Sequence, residues 1–354
     1  MKYKILGRQT GLRVSEFALG AGNFGTGWGH GAEPAEARAM FDRFVEAGGN
    51  FIDTADGYQF GQSEKLVGEF IAGNRDDFVL ATKYTNGVNP QAGVNRLGNS
   101  RKTMVRAVED SLKRLNTDYI DLYWTHFPDE QTPIDEILRG FDDLVTSGKI
   151  LYAGLSNFPA WRVSRAATLA QLRNQAPIAA VQFEYSLVER GADREYLPMI
   201  EGLGLGGAMW SPLGGGFLTG KYRNGADDGA SRKSGLGILL HGEGGDQKSA
   251  ILDTVIAIAA EVGATPSQVA VAWLRHRGAD STSAHVPIIG PRTLGQLDDY
   301  LGALDVALSD EQVDRLTTVS AIALGGLYDQ TAAQRDRLFA GQLDRLHAPR
   351  VTVA

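Results

Sequence analysis

Cysteine is absent from all 354 residues. That excludes disulfides, zinc–thiolate centres and thiol nucleophiles together, and leaves the compartment open. A surplus of positive charge is missing too: Lys+Arg 35 against Asp+Glu 42 gives a formal net charge of −7. Phosphate backbones and anionic lipid surfaces both need a basic face, so neither nucleic acid nor a membrane is an expected partner. No apolar run approaches the roughly 18 residues that a membrane span requires. The opening Met1-Lys2-Tyr3-Lys4-Ile5-Leu6 has no long apolar core behind its charges, so no secretory signal is expected and the cytoplasm is the expected location. The six histidines are dispersed without metal-ligand spacing, so no metal is expected. Glycine, by contrast, is plentiful: 44 residues, about twice ordinary usage. With 43% apolar and 22% charged residues, the composition is that of a folded globule rich in tight turns.

Along the chain, short apolar runs alternate with helical periodicity. Eight runs, at 17–20, 50–53, 78–82, 119–124, 150–155, 179–183, 207–210 and 286–289, read as buried parallel strands. The helices between them carry start signals. Thr132-Pro133 reads as a cap followed by a first-turn proline, with Ile134, Ile137, Leu138, Phe141, Leu144 and Val145 at helical spacing. Ser100 precedes another such stretch, Glu33-Pro34 opens a third, and Thr265-Pro266-Ser267-Gln268 spells a capping box. Eight β/α units predict a (β/α)8 TIM barrel. At about 150 residues per domain the length alone suggests two domains, but barrels run longer as single units. The expected organisation is one domain over 1–354: a hairpin at 3–14, the barrel at 15–327 and a C-terminal extension at 328–354, with an appended helix from Thr331 to about Leu346. The glycine-rich stretch 214–245 reads as a mobile loop that folds over a ligand as a lid.

Gly20-Ala21-Gly22-Asn23-Phe24-Gly25 matches G-x-G-x-x-G directly after a strand. That fingerprint needs a helix opening at the glycines, so that its N-terminus meets the phosphates. Thr26-Gly27-Trp28-Gly29-His30-Gly31 follows instead, and no helix starts before about Pro34. The match is therefore read as a strand-end loop.

In a barrel, chemistry gathers where strands end. Asp53 and then Tyr58 follow the second strand, Lys83 the third and His126 the fourth. Singly, each has a plainer role: a cap, a packing aromatic, a solvated cation, a structural imidazole. Jointly, at consecutive strand ends, they make a general acid. Tyrosine is a poor acid at neutral pH, with an ordinary pKa of about 10. A neighbouring ammonium favours phenolate, an aspartate keeps the ammonium charged, and an imidazole positions a carbonyl by hydrogen bonding.

These residues reach a family. Phe51-Ile52-Asp53-Thr54-Ala55-Asp56-Gly57-Tyr58, Ala81-Thr82-Lys83 and His126-Phe127-Pro128-Asp129 resemble the aldo-keto reductase superfamily. So do Gly154-Leu155-Ser156-Asn157-Phe158, Val181-Gln182-Phe183-Glu184-Tyr185, Trp210-Ser211-Pro212-Leu213, Leu218-Thr219-Gly220-Lys221-Tyr222 and Gly290-Pro291-Arg292-Thr293-Leu294-Gly295-Gln296-Leu297. The motifs keep their order over most of the chain. They look like the bacterial and plant branch also similar to potassium-channel β subunits and L-glyceraldehyde 3-phosphate reductases. The resemblance implies a catalytic tetrad of Asp53, Tyr58, Lys83 and His126, with Tyr58 as proton donor and hydride from a reduced nicotinamide.

It also implies a cofactor site. Ser156, Asn157 and Gln182 would hold the carboxamide and Trp210 would stack on the nicotinamide. Ser211, Leu213, Gly216 and Lys221 would line the pyrophosphate. Gly290, Arg292 and Gln296 would take the adenosine end, and Gly22 would lie beside the cofactor. Arg292 offers a fork suited to a 2′-phosphate, so NADPH is expected over NADH. Where the family often has Asn for adenine, this chain has Tyr300, leaving Asp299 to accept from adenine or Tyr300 to stack on it. Phe24, Trp28, Trp124, Phe127 and Phe158 suggest an apolar pocket for aldehydes or ketones with bulky or aromatic bodies, with His30 and Tyr328 as residues that reach its rim. The expected partner is a small-molecule carbonyl substrate; monomer and homo-oligomer both stay open. The competing expectations are a nicotinamide-binding regulatory or sensor subunit with little turnover, docking through 331–346, and a barrel enzyme of unrelated lyase or isomerase chemistry.

Overall fold

The computed structural model describes residues 1–89, 91–223, 241 and 245–345. Two short strands, β1 (Tyr3–Ile5) and β2 (Arg13–Ser15), pair antiparallel with Tyr3 opposite Ser15. Eight parallel strands then close on themselves: β3 (Ala18–Gly20), β4 (Phe51–Asp53), β5 (Val79–Tyr84), β6 (Ile120–Thr125), β7 (Ile150–Ser156), β8 (Ile178–Glu184), β9 (Gly206–Trp210) and β10 (His285–Ile289). Closure comes from β10, which pairs with both β9 and β3. All eight apolar runs are strands, so the fold is the (β/α)8 barrel that the alternation predicts.

Helices cover the outside: α1 (Pro34–Glu46), α2 (Gln62–Ile71), α3 (Arg101–Leu115), α4 (Ile134–Thr146), α5 (Ala160–Leu172) and α6 (Tyr196–Leu203). Between β9 and β10 come α7 (Asp246–Val262) and α8 (Pro266–Arg277), and after β10 come α9 (Leu294–Gly302), α10 (Asp310–Val319) and α11 (Gly326–Leu338). The Ser100 hydroxyl caps α3 and the Thr265–Gln268 box caps α8 as expected. Between β3 and α1 the glycines form only a 3-10 turn, Ala21–Asn23, and α1 opens at Pro34.

Two local expectations are corrected. Thr132 does not cap α4: Pro133 stands in the cap position, and the Thr132 hydroxyl donates to Asp129 Oδ2 at 2.7 Å. The tail helix begins at Gly326, not Thr331, and ends at Leu338. Its apolar Leu338 is 75% exposed, so periodicity had no buried face to report there. The expected loop falls largely on residues 224–240 and 242–244, which lie outside the described residues, as does Leu346.

Period-two alternation sorts the barrel interior by height. Ala18, Phe51, Val79, Ala81, Leu122, Ala180, Ala208 and Val286 form an apolar inner core, with Leu6 and Val14 closing it at the hairpin end. One further inward step along the strands brings Asp53, Lys83, Trp124, Gln182 and Trp210 to the opposite end. Gly154 is glycine because the Trp124 ring lies on it: a Cβ there would sit 2.3 Å from the indole. The fold thus places an apolar floor under a polar mouth.

Candidate active site

Backbone pairing continues past the end of β4. Thr54 donates to Ala81 O at 2.9 Å and Asp56 to Lys83 O at 3.0 Å, which carries the chain into the turn Tyr58–Gly61. Tyr58 therefore hangs over the end of β5, where Lys83 points inward. The Lys83 ammonium has three protons to donate. They go to Asp53 Oδ2 at 2.5 Å, Thr54 O at 2.8 Å and the Tyr58 hydroxyl at 3.2 Å. The other carboxylate oxygen of Asp53 accepts from Trp124 Nε1 at 3.1 Å and Gln182 Nε2 at 3.0 Å. A buried carboxylate is so satisfied on both sides, which a buried charge requires. The Tyr58 oxygen accepts from Lys83, so its own proton is available on the cavity side.

Charge follows from this geometry. Burial works to depress Lys83, but Asp53 and the Tyr58 oxygen outweigh it and hold the ammonium above the ordinary lysine range. His126 is fixed at the end of β6 by its backbone N–H to Tyr84 O at 3.0 Å. Burial, and then the Lys83 charge, push its imidazole well below the ordinary histidine range, so it is neutral at neutral pH. Its ring stands edge-on to Tyr58, with centroids 5.8 Å apart, and stacks on Phe127 at 4.6 Å. Its Nδ1 is buried without a partner among the described residues.

These groups face a cavity of about 650 Å³ at the C-terminal ends of the strands. Asp53, Tyr58 and His126 line it, and Lys83 lies fully buried just behind them. Gly22, Asn157, Gln182, Trp210, Ser211, Leu213, Gly216, Lys221, Gly290, Arg292, Gln296, Asp299 and Tyr300 line it as well, as do Phe127 and His30. Ser156 does not: it is buried, and its hydroxyl accepts from Asn157 Nδ2 at 2.9 Å. Of the expected pocket aromatics, Phe24, Trp124 and Phe158 are corrected. Phe24 packs in the core against Phe70, Trp124 holds Asp53, and Phe158 lies buried under the Arg162 guanidinium. Trp28 stands outside the lining, edge-on to Tyr58 at 5.9 Å. Tyr328 turns away to Glu195.

Residues 16–321 match the model of the Aldo/keto reductase family. The chain belongs to that family. Among similar proteins are norsolorinic acid reductase of Aspergillus flavus, 36% identical over 91% of this chain and 82% of that protein, and aryl-alcohol dehydrogenase [NADP(+)] of Phanerodontia chrysosporium, 36% identical over 89% and 85%. An uncharacterized oxidoreductase of Bacillus subtilis is 36% identical over 90% of this chain and 96% of its own length. Membership makes this aldo/keto reductase an oxidoreductase of carbonyl compounds with a nicotinamide cofactor.

The far half of the cavity suits such a cofactor. Gly290 lines it, and a Cβ there would meet nothing within 4 Å, so the glycine keeps open a space that a side chain would enter. Gly215 and Gly216 line the cavity with positive φ, at 64° and 93°, which lets bare backbone face it. Lys221 and Arg292 supply the cations. Asn157 and Ser211, both on the cavity lining, also hold positive φ, 60° and 57°, uncommon for residues with side chains. Trp210 Nε1 donates to Asn157 Oδ1 at 3.0 Å, which sets the indole plane.

The aldo/keto reductase site also includes contacts and residues that sequence reasoning missed. Trp124 and Gln182 act on Asp53; the period-two alternation of β6 and β8 was the signal that both side chains point inward. Thr265, Pro266 and Ser267 line the cavity although their motif reads only as a helix start, and Thr265 Oγ1 donates to Asp299 at 2.5 Å. Asn23 lines it too, with Nδ2 donating to Gly290 O at 3.0 Å. Among the described residues no single helix is long and apolar enough to cross a membrane.

Proposed function

We propose that the protein reduces an aldehyde or ketone with an aromatic body to the alcohol, using NADPH and drawing the proton from Tyr58. The observation that carries this reading is the saturated ammonium: each proton of Lys83 has an acceptor, and one acceptor is the Tyr58 hydroxyl. When bound, NADPH supplies the hydride that the carbonyl carbon accepts. Tyr58 gives its proton to the carbonyl oxygen, and the Lys83 charge stabilises the phenolate left behind. Asp53 keeps that cation charged and in place. Neutral His126 offers a hydrogen bond that orients the carbonyl without adding a second positive charge.

Trp210 would stack on the nicotinamide, with Asn157 and Gln182 at its carboxamide and Ser156 behind Asn157. Ser211, Leu213, Gly216 and Lys221 would hold the pyrophosphate. Gly290, Arg292, Gln296, Asp299 and Tyr300 would hold the adenosine end, and Gly22 would sit against the cofactor. The fork of Arg292 favours the 2′-phosphate and hence NADPH over NADH. The aromatic substrate class is supported by Phe127, 41% exposed and stacked on His126, and by the name of the aryl-alcohol dehydrogenase relative.

The test is NADPH consumption by the purified chain with benzaldehyde. Turnover is expected, and Tyr58→Phe is expected to lower kcat by about 10²–10⁴-fold while NADPH still binds. No turnover above background across aromatic aldehydes, aliphatic aldehydes and ketones would overturn the reading.

A further inference from the structure

The turn that carries Tyr58 contains a costly residue. Gln59 is fully buried with φ 51°, and Phe60 and Gly61 follow at 54° and 85°. Left-handed backbone at a residue with a long side chain costs energy that glycine escapes, so the side chain must do something that keeps it there. It does two things. Gln59 Oε1 accepts from the backbone N–H of Trp28 at 2.9 Å, and Nε2 donates to Gly22 O at 3.1 Å. Three residues on, Gln62 Oε1 accepts from Thr26 N at 2.9 Å and Gly27 N at 3.0 Å.

One glycine of this loop, Gly25, is shaped around the Gln62 side chain, and Gly27 and Gly31 lie close to Gln59. A Cβ on Gly25 would lie 2.6 Å from Gln62 Oε1, and one on Gly31 would strike Gly25 O before coming 3.1 Å from Gln59 Nε2. A Cβ on Gly27 would lie 2.6 Å from Gln59 O. Gly25, the last glycine of the G-x-G-x-x-G match, therefore admits the Gln62 side chain from the neighbouring turn, and Gly27 admits the Gln59 carbonyl. The joined loop and turn bring Trp28 edge-on to the Tyr58 ring and lay Gly22 against its face, where a Cβ would sit 3.6 Å from Tyr58 Cε2.

We infer that Gln59 is a positioning residue: it clasps the glycine-rich loop to the catalytic turn and so fixes the Tyr58 ring between Trp28 and Gly22. The inference rests on the reductase reading for its kinetic consequence, while the clasp itself is a property of the free chain. A proton donor displaced by a fraction of an ångström loses rate more than binding.

The experiment compares the full wild-type chain with Gln59→Met, which keeps length and removes both hydrogen bonds, and Gln59→Gly, which relieves the backbone. Amide exchange is read without cofactor. Exchange at Trp28 is expected to rise about tenfold in both variants, and to rise less at Thr26 and Gly27, which hang on Gln62. With NADPH and benzaldehyde, kcat is expected to fall about tenfold while KM moves less than about threefold. Unchanged exchange at Trp28, or equal rises at all three amides, overturns the clasp. Altered exchange with unchanged kcat overturns the positioning role. If the wild type itself turns over no carbonyl compound, the reductase reading fails, and the exchange arm still decides the clasp.

Discussion

Each end of the barrel sets a lysine beside a buried histidine, half-buried Lys4 at the hairpin end and fully buried Lys83 at the mouth, and the two pairs behave differently. At the hairpin end, Lys4 Nζ donates to His285 O at 2.8 Å. Burial depresses Lys4 more than Glu16 supports it, and burial followed by Lys4 pushes His285 down to about 4. At the mouth, burial and then Lys83 likewise depress His126, yet Lys83 itself is held high by Asp53 and Tyr58. A depressed imidazole therefore marks burial beside a cation, at either end. What separates the working end is a cation raised by a matched carboxylate and a phenol, next to a cavity. A perturbed histidine alone does not identify a site.

The sharpest way to break this comparison is to remove each lysine. Lys83→Met is expected to lower kcat by about 10²–10⁴-fold, since the phenolate then forms without its cation. It also strands the Asp53 charge, so urea denaturation should show a loss of about 3–5 kcal/mol. Lys4→Met should leave kcat within about twofold, because the floor lies far from the chemistry. Equal effects of the two variants on kcat would erase the distinction.

Proton linkage sharpens it next. His285 has its folded pKa lowered from 6.5 to about 4, so below 6.5 the unfolded chain binds a proton that the folded chain refuses. Stability should fall by about 3 kcal/mol from this group as pH drops through that window, and His285→Gln should remove that part of the slope. Asp56, just before Tyr58, runs the other way. Burial first, then the Glu64 charge, raise its carboxyl from 3.8 to about 7. Its stabilising share is full below 3.8 and is lost as pH rises through 7. Asp56→Asn should therefore stabilise the chain above pH 7 relative to wild type and give no gain near pH 3.8, read by urea denaturation at each pH.

Smaller effects belong to the half of the mouth proposed to hold the cofactor. Arg292→Leu should raise KM for NADPH about tenfold and leave KM for NADH nearly unchanged, by steady-state kinetics with each. Thr265→Ala removes the α8 cap and the contact to Asp299, and should lower stability by about 1 kcal/mol in thermal unfolding.

Much of this was legible before any coordinates. Parallel strands buried on both faces are continuous apolar runs, so all eight could be read without knowing what they touch. The meeting of Asp53, Tyr58, Lys83 and His126 was legible because strand ends converge in a closed barrel. Trp124 was misread because an aromatic near the mouth looks like a wall; only the closed barrel shows that its indole N–H reaches Asp53 from the next strand but one. Gln59 carried no signal, since a left-handed backbone at glutamine has no pattern of its own. The tail helix was misplaced because an exposed helix needs no apolar stripe to fix its limits.

An amine can capture a carbonyl as an imine only through a lone pair, which it gains by losing a proton. Lys83 sits beside the substrate site with every N–H engaged and its protonated form favoured. The same arrangement that supports the phenol thus disfavours the free amine, and with Lys83 buried behind Tyr58 it holds the lysine back from a carbonyl in the cavity.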